Sequence, residues 1–331
     1  MNRFIRCLIS SAIFSISPLK LCYAFSIKKD VIAHRGASAY LPEHTLASYA
    51  LAYGMGADFI EPDIVLSKDG YPIALHDIFL DNVSNVAEKY PHRHRQDHKW
   101  YAIDFTLKEL KSLRVRERRD QSKVRLQFPK RFPKDIEIFS IPTLEEVILL
   151  LQGLNKSSGK QVGLYPEIKN ASFHIKEGKD IVKIVYETLK KFEFDQHPES
   201  IFLQSFEASV LKRIKQEYKS NIPLIQLIGG WDIKKIPGEK ELKEIKTYAT
   251  GIGVSLYTIM GKQENRIVTS GLVRKAHAAG LKVHAYTARA DRLPPFTNSF
   301  SELLTLLFKK EKIDGIFTDF PDLVSSFLAN P

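Results

Sequence analysis

Cysteine is nearly absent from this chain: 331 residues contain two, Cys7 and Cys22. Both lie in the first 24 residues, so nothing beyond them can form a disulfide, and the fold does not depend on oxidation. Long apolar runs are equally scarce. The stretch from Cys7 to Ile16 is too short for a comfortable permanent span, and Pro18 and Lys20 prevent its extension. With Arg3 and Arg6 before it and the small Ala24 after it, this stretch reads as a secretory signal peptide over 1–24. The mature chain, 25–331, then has no membrane span. A leader without disulfides points to the periplasm, and Lys20 in the would-be recognition stretch argues against lipid attachment at Cys22.

What is abundant is positive charge. The formal net charge is +11, and the leader holds three basic residues and no acidic one, so the mature surface still favours anions. Much of the excess lies in KSLRVRERRDQSKVRLQFPKRFPK, residues 111–134, where ten Lys or Arg face two acidic residues. No aromatic stacking pattern or groove-reading motif accompanies the run, so it reads as a solvated face and not as a nucleic-acid surface. The histidines of PHRHRQDHK, His92, His94 and His98, sit among polar residues and read as a solvated loop in preference to a metal site. A composition 44% hydrophobic and 26% charged is that of an ordinary globular protein.

From Asp30 onward, β-rich runs alternate with helical ones. Eight strands are expected, at 30–34, 58–66, 161–169, 200–206, 222–228, 251–256, 281–287 and 314–320. Between them lie helical stretches such as EHTLASYALAYG, opened by Glu43 and closed by Gly54, and KEGKDIVKIVYETLKKF. Eight such units in about three hundred residues predict an α/β fold, a TIM (β/α)8 barrel. The run after the second strand, SKDGYPIALHD, predicts an Asp69-Gly70 turn and a returning arm. Residues 78–140 contain no barrel unit and read as a small inserted subdomain.

In FIEPDIVL, Glu61 and Asp63 share one face of a strand, where two buried carboxylates would repel unless a cation lay between them. A strand's carboxyl end is where barrel enzymes build their sites, and Pro62, which offers no ladder hydrogen bond, suits such an end. VIAHRG sets His34 and Arg35, PIALHD sets His76 and Asp77, and YPEIK sets Glu167 and Lys169 at other strand ends. Three oxygen ligands, two imidazoles and two cations suit a phosphate ester.

The block HRGASAYLPEHTLASYALAYGMGADFIEPDIVLSKDGYPIALHD resembles the signature of the glycerophosphodiester phosphodiesterase family, and of its periplasmic bacterial members in particular. AIDFTLKELKSL, GLYPEIK, DGIFTDFPD and the YT of VHAYTARAD extend the resemblance over nearly the whole mature chain. By motif position it implies His34 and His76 as the catalytic acid and base, and Glu61, Asp63 and Glu167 as metal ligands. Arg35 and Lys169 would bind the substrate phosphate, with Glu43 in support. Pro62 departs from the family pattern and puts local strand pairing in question. An all-carboxylate set favours Ca²⁺, with Mg²⁺ as the alternative, whereas Zn²⁺ would recruit a histidine. The implied reaction is metal-dependent hydrolysis of a small glycerophosphodiester to glycerol 3-phosphate and an alcohol. Either histidine can be the base, and either water or the substrate's own glycerol hydroxyl can attack. Two rival readings compete with it. One is a phospholipase-type enzyme acting on lipid, for which Phe128 and Phe132 give the single hint; the other is a surface binding protein or adhesin on the same barrel. Nothing in the sequence sets an oligomeric state.

Overall fold

The computed structural model describes residues 28–330 apart from 121–124, 134–135, 231–235 and 265. The leader and both cysteines fall outside the described residues. Thirteen strands occur in chain order: β1 (Asp30–His34), β2 (Phe59–Glu61), β3 (Asp63–Leu66), β4 (Pro72–Ala74), β5 (Gly163–Leu164), β6 (Glu167–Ile168), β7 (Leu203–Ser205), β8 (Leu224–Ile228), β9 (Gly251–Ser255), β10 (Met260–Gln263), β11 (Arg266–Thr269), β12 (Lys282–Ala288) and β13 (Gly315–Thr318). β10 and β11 form a separate antiparallel hairpin. The other eleven make one sheet.

That sheet closes into a barrel of eight. β2 and β3 are one run interrupted at Pro62, and β5 and β6 are one run interrupted at Tyr165 and Pro166. Backbone bonds cross both breaks in step: Tyr165 N donates to Ile60 O at 2.8 Å, Glu167 N to Pro62 O at 2.9 Å, and Lys169 N to Ile64 O at 3.1 Å. Pro62 therefore loses only the rung that its missing N–H would have made, while its carbonyl keeps the register. The strand expected over 58–66 thus carries through Pro62 to Leu66, with Glu61 and Asp63 inside it and not at its carboxyl end. The closed order is β1, β2/β3, β5/β6, β7, β8, β9, β12, β13 and back to β1, parallel throughout, with β4 returning antiparallel on β3. Each of the eight strands read from the sequence falls on one member.

Period-two alternation divides each strand between two cores. Val31, Ala33, Ile60, Ile64 and Leu164 face outward into the large cluster shared with the helices. Ile32, Phe59, Tyr165, Phe202, Ile225 and Phe317 form a smaller cluster of their own in the barrel interior. Two helix boundaries differ from expectation. The helix after β1 is Leu46–Gly54, capped by Thr45, whose side chain accepts from Ser48 N, so Glu43 lies before it and is free to point elsewhere. The stretch 176–192 is the end of one helix, Ala171–Lys176, and a second, Ile181–Lys191; Gly178, at φ +78°, separates them.

The chain from Ile78 to Phe139 follows β4 and precedes the helix Leu144–Ser158. Leu80, Val83, Phe105, Leu110, Leu113 and Val115 pack there against Val65, Ile73 and Leu75 of the β3–β4 hairpin. Among the described residues no helix is long and apolar enough to cross a membrane. Because this cluster joins hairpin to segment, truncating the fully buried Phe105 to Ala should lower unfolding stability by about 3–5 kcal/mol. Denaturant melts should show one transition with a lower midpoint; an unchanged midpoint would mean that the segment unfolds apart from the barrel.

Candidate active site

The same alternation that buries aromatics low in the barrel lifts polar groups above them. Phe59 is followed at i+2 and i+4 by Glu61 and Asp63, Tyr165 by Glu167 and Lys169, Phe202 by Gln204, and Phe317 by Asp319. Register then aligns them: His34 pairs with Glu61, Asp63 with Glu167, and Glu167 with Gln204. The result is a cavity of about 520 Å³ lined by His34, Arg35, Glu61, Asp63, His76, Glu167 and Lys169 among others. All seven residues singled out from the sequence meet there.

Ligand oxygens of Glu61, Asp63 and Glu167 lie within 4.8 Å of one another, and Glu61 and Asp63 are each 1% exposed. Two unit charges at that separation repel by roughly 3 kcal/mol even at an effective dielectric near 20. Burial, with Asp63 and Glu167 as neighbours, pushes the Glu61 carboxyl well above its ordinary range. Burial, with Asp63 nearby, pushes Glu167 up to about 8 although Lys169 opposes it. Asp63 goes the other way: against the cost of burial, Lys169, His76 and His44 hold it well below the usual carboxylate range. Its partners are close, with His44 Nε2 at 2.9 Å, Arg35 Nε at 3.4 Å and Lys169 Nζ at 3.5 Å.

The cluster fits a hard divalent cation. Gln204 Nε2 donates to Glu61 Oε1 at 3.0 Å and fixes that carboxylate, while the buried Gln204 Oε1 has no protein partner. A buried acceptor without a donor beside three crowded carboxylates is what a hydrated ion would satisfy. Arg35 N donates to Glu61 Oε2 at 2.9 Å from a left-handed turn, φ +61° at Arg35 and +90° at Gly36. A Cβ on Gly36 would stand 2.4 Å from Ser48 Oγ, so the glycine of the His-Arg-Gly motif is required both for conformation and for room.

Each cavity histidine is held by a carboxylate. His34 Nδ1 lies 2.7 Å from Asp319 Oδ1, and His76 Nδ1 lies 2.6 Å from Asp77 Oδ1. A carboxylate only accepts, so Nδ1 carries the proton in both rings and Nε2 is left with a free lone pair. Burial and the nearby Arg35 lower His34 to about 4 and His76 to about 3, with Lys169 adding to the latter. Both rings are therefore neutral at neutral pH, which is lower than the near-neutral titration that an unperturbed imidazole suggests.

Two expectations are corrected here. The basic run is a solvated face only in part: Arg114, Arg125 and Lys130 are exposed, but Arg116 and Arg118 are buried, and Arg118 bonds Asp77 at 2.6 Å and Glu43 at 2.6 and 2.8 Å. Phe128 is not an exposed apolar residue either; it is 9% exposed beneath the Arg131 guanidinium, whose carbon is 3.6 Å from the ring centroid. His92, His94 and His98 remain apart from the cavity, and Glu61, Asp63 and Glu167 are the one acidic or histidine cluster of ligand spacing among the described residues. Gln204 and Asp319 are not among the residues singled out from the sequence, although the aromatic-x-polar pattern of their strands carries both. Glu43 accepts from Arg35 Nη1 at 3.0 Å and sits behind the cavity.

The glycerophosphoryl diester phosphodiesterase family model matches residues 34–323. The chain belongs to that family. It is 41% identical to a glycerophosphodiester phosphodiesterase of Haemophilus influenzae, over 91% of this chain and 90% of that one. A glycerophosphodiester phosphodiesterase of Treponema pallidum is 34% identical, over 92% and 93% respectively. The fold is shared with an Oleispira antarctica phosphodiesterase solved in complex with the product sn-glycerol-3-phosphate, with a TM-score of 0.63, 23% identity and coverage of 92% and 99%. The matched range includes every residue that lines this cavity.

The raised carboxyls give a pH signature. Glu61 and Glu167 hold protons in the native state above the pH at which they lose them unfolded, so their contribution to stability is complete below about pH 4.5 and is lost as pH rises toward 8. Near pH 6.5 the two lowered histidines oppose this, because unfolding lets them take up protons, but above about pH 7.5 an unfolded imidazole is neutral too and the opposition ends. Metal-stripped protein should therefore melt at progressively lower temperature from about pH 7.5 upward, and added Ca²⁺ should raise the melting temperature more at pH 8 than at pH 6.5. A flat, calcium-insensitive profile would contradict the crowded-carboxylate reading.

Proposed function

We propose that this protein hydrolyses glycerophosphodiesters, the deacylated phospholipids such as glycerophosphocholine and glycerophosphoethanolamine, to glycerol 3-phosphate and an alcohol. The observation that carries the reading is the convergence of three buried carboxylates, two carboxylate-bound imidazoles and two cations in one cavity of a family barrel. Glu61, Asp63 and Glu167 would hold a divalent cation, Ca²⁺ or alternatively Mg²⁺, which when bound supplies Lewis-acid stabilisation of charge on the phosphate oxygens.

Arg35 and Lys169 line the same cavity and face the non-bridging oxygens, adding fixed positive charge where negative charge grows. His34 is the base. Its Nε2 lone pair takes the proton from the attacking oxygen, water or the glycerol hydroxyl, as that oxygen bonds phosphorus. His76 is the acid and gives a proton to the alcohol oxygen as its bond to phosphorus breaks. Burial and then positive neighbours hold both rings neutral in the free enzyme, and the arriving phosphodiester anion offsets the positive part of that effect, so an imidazolium becomes more accessible in the loaded cavity. Asp77 and Asp319 keep each ring in the required tautomer.

The leader 1–24 would direct export to the periplasm, and residues 78–140 form the inserted subdomain beside the mouth. Phe128, buried under Arg131, is not available to a lipid surface, which supports soluble substrates. In a coupled assay for glycerol 3-phosphate, His34→Ala and His76→Ala should lower kcat by about 10²- to 10⁴-fold with the fold intact. Glu61→Ala should abolish turnover and weaken calcium binding in calorimetry. Full turnover by any of the three would remove the assignment.

A further inference from the structure

Arg118 and Arg131, two buried arginine side chains of the 111–134 run, have no place in the chemistry above, yet each ends on one of its histidine pairs. Asp77 directs Oδ1 to His76 and Oδ2 to Arg118 Nη1, at 2.6 Å for each contact. Asp319 directs Oδ1 to His34 at 2.7 Å and Oδ2 to Arg131 Nη2 at 2.8 Å, with Arg289 Nε also on Oδ2 at 2.6 Å. The two arrangements have the same form although His76 and Asp77 follow the β4 arm, whereas His34 ends β1 and Asp319 follows β13.

Each guanidinium is anchored at its other end. Arg118 Nε and Nη2 grip Glu43, which itself binds Arg35. Arg131 is bonded to Asp291 through Nε and Nη2, at 2.9 and 3.1 Å, and to Ser38 O through Nη1 at 3.2 Å; Ser38 Oγ returns to His34 O at 2.9 Å. Planar forks with two anchored ends fix a carboxylate in rotation as well as in place. Stability does not account for them, because buried ion pairs contribute little to it net of desolvation.

We propose that Arg118 and Arg131 are positioning residues, supplied by the segment outside the barrel, that orient His76 and His34 by clamping the outer oxygens of Asp77 and Asp319. The proposal rests on the reading of His34 and His76 as the proton-transfer groups. Loss of Arg118 loosens Asp77, and loss of Arg131 leaves Asp319 with Arg289 Nε alone on its outer oxygen, so the imidazole Nε2 loses its aim at the reacting oxygen.

The test is a pair of double-mutant cycles, R131M with D319N and R118M with D77N, read as kcat and KM on glycerophosphoethanolamine after thermal melts confirm folding. Each arginine variant should lower kcat roughly 10- to 100-fold, as small misplacements do, with KM changed less than about threefold. In the D319N background R131M should change kcat less than about twofold, since the arginine acts through that aspartate. R131K, which retains the charge and a single donor, should recover part of the loss, and it replaces R131M in the cycle should the latter not fold. Unchanged kcat in the arginine variants, or losses that multiply in the double variants, would overturn the proposal. Normal turnover by His34→Ala would instead sink the reading beneath it.

Discussion

Repulsion among Glu61, Asp63 and Glu167 is the constraint around which the barrel's upper half is arranged. Three carboxylates within 4.8 Å cannot all ionise in a dry site by themselves. Part of the compensation is built from the chain: Lys169 between Asp63 and Glu167, Arg35 beside Asp63, and His44 behind it, itself held by Tyr49 at 2.7 Å. Part is left to whatever positive charge enters the cavity. The raised Glu61 and Glu167 carboxyls measure that remainder, and they tie occupancy of the site to pH.

Positive groups that hold the carboxylates also add to burial in keeping the histidines neutral. Arg35 touches Asp63 and Glu43 and at the same time depresses both imidazoles. The charge balance of the carboxylates and the proton affinity of the imidazoles are therefore coupled through one guanidinium, and neither can be tuned alone by changing it. Asp319 and Asp77 provide the counterweight. Both remain ionised against the cost of burial, Asp319 because Arg289 and His34 favour its charge, Asp77 because His76 and Arg118 do. The network is a chain of hydrogen bonds running from Arg131 through Asp319 and His34 to the cavity, and from Arg118 through Asp77 and His76 to its other side.

Legibility in the sequence follows the range of the interactions. The barrel is readable because strands are local: apolar runs such as DVIAH and GIGVSL carry their periodicity within five or six residues. The cavity residues are readable because alternation puts polar groups two and four positions after a buried aromatic, and because the His-Arg-Gly, Glu-x-Asp and His-Asp elements are short. Pro62 obscures one strand's pairing, since its missing rung hides from sequence a ladder that its carbonyl sustains. The fates of Arg118 and Arg131 are not readable. Their partners are 41 and 188 residues distant, and a charged run bonded to distant carboxylates has the same local composition as one in water.

Topology explains why those partners come from this segment and no other. A parallel barrel sends every strand-to-helix connection out at the rim that holds the site. The connection after β4 starts at Leu75, immediately before His76, so a longer excursion there begins at the cavity. Its return to the helix at Leu144 is fixed as well: Ala74 N bonds Pro142 O at 2.9 Å, and Ile73 bridges Thr143. With both ends pinned beside β4, and with an apolar cluster seated on the β3–β4 hairpin, the middle of the segment has one free direction, across the mouth. Basic residues placed there meet the outward oxygens of whatever carboxylates brace the histidines. A helix in the same position would have packed against the barrel wall and reached neither, so the departure from the regular alternation is what brings a second ring of charge to the site.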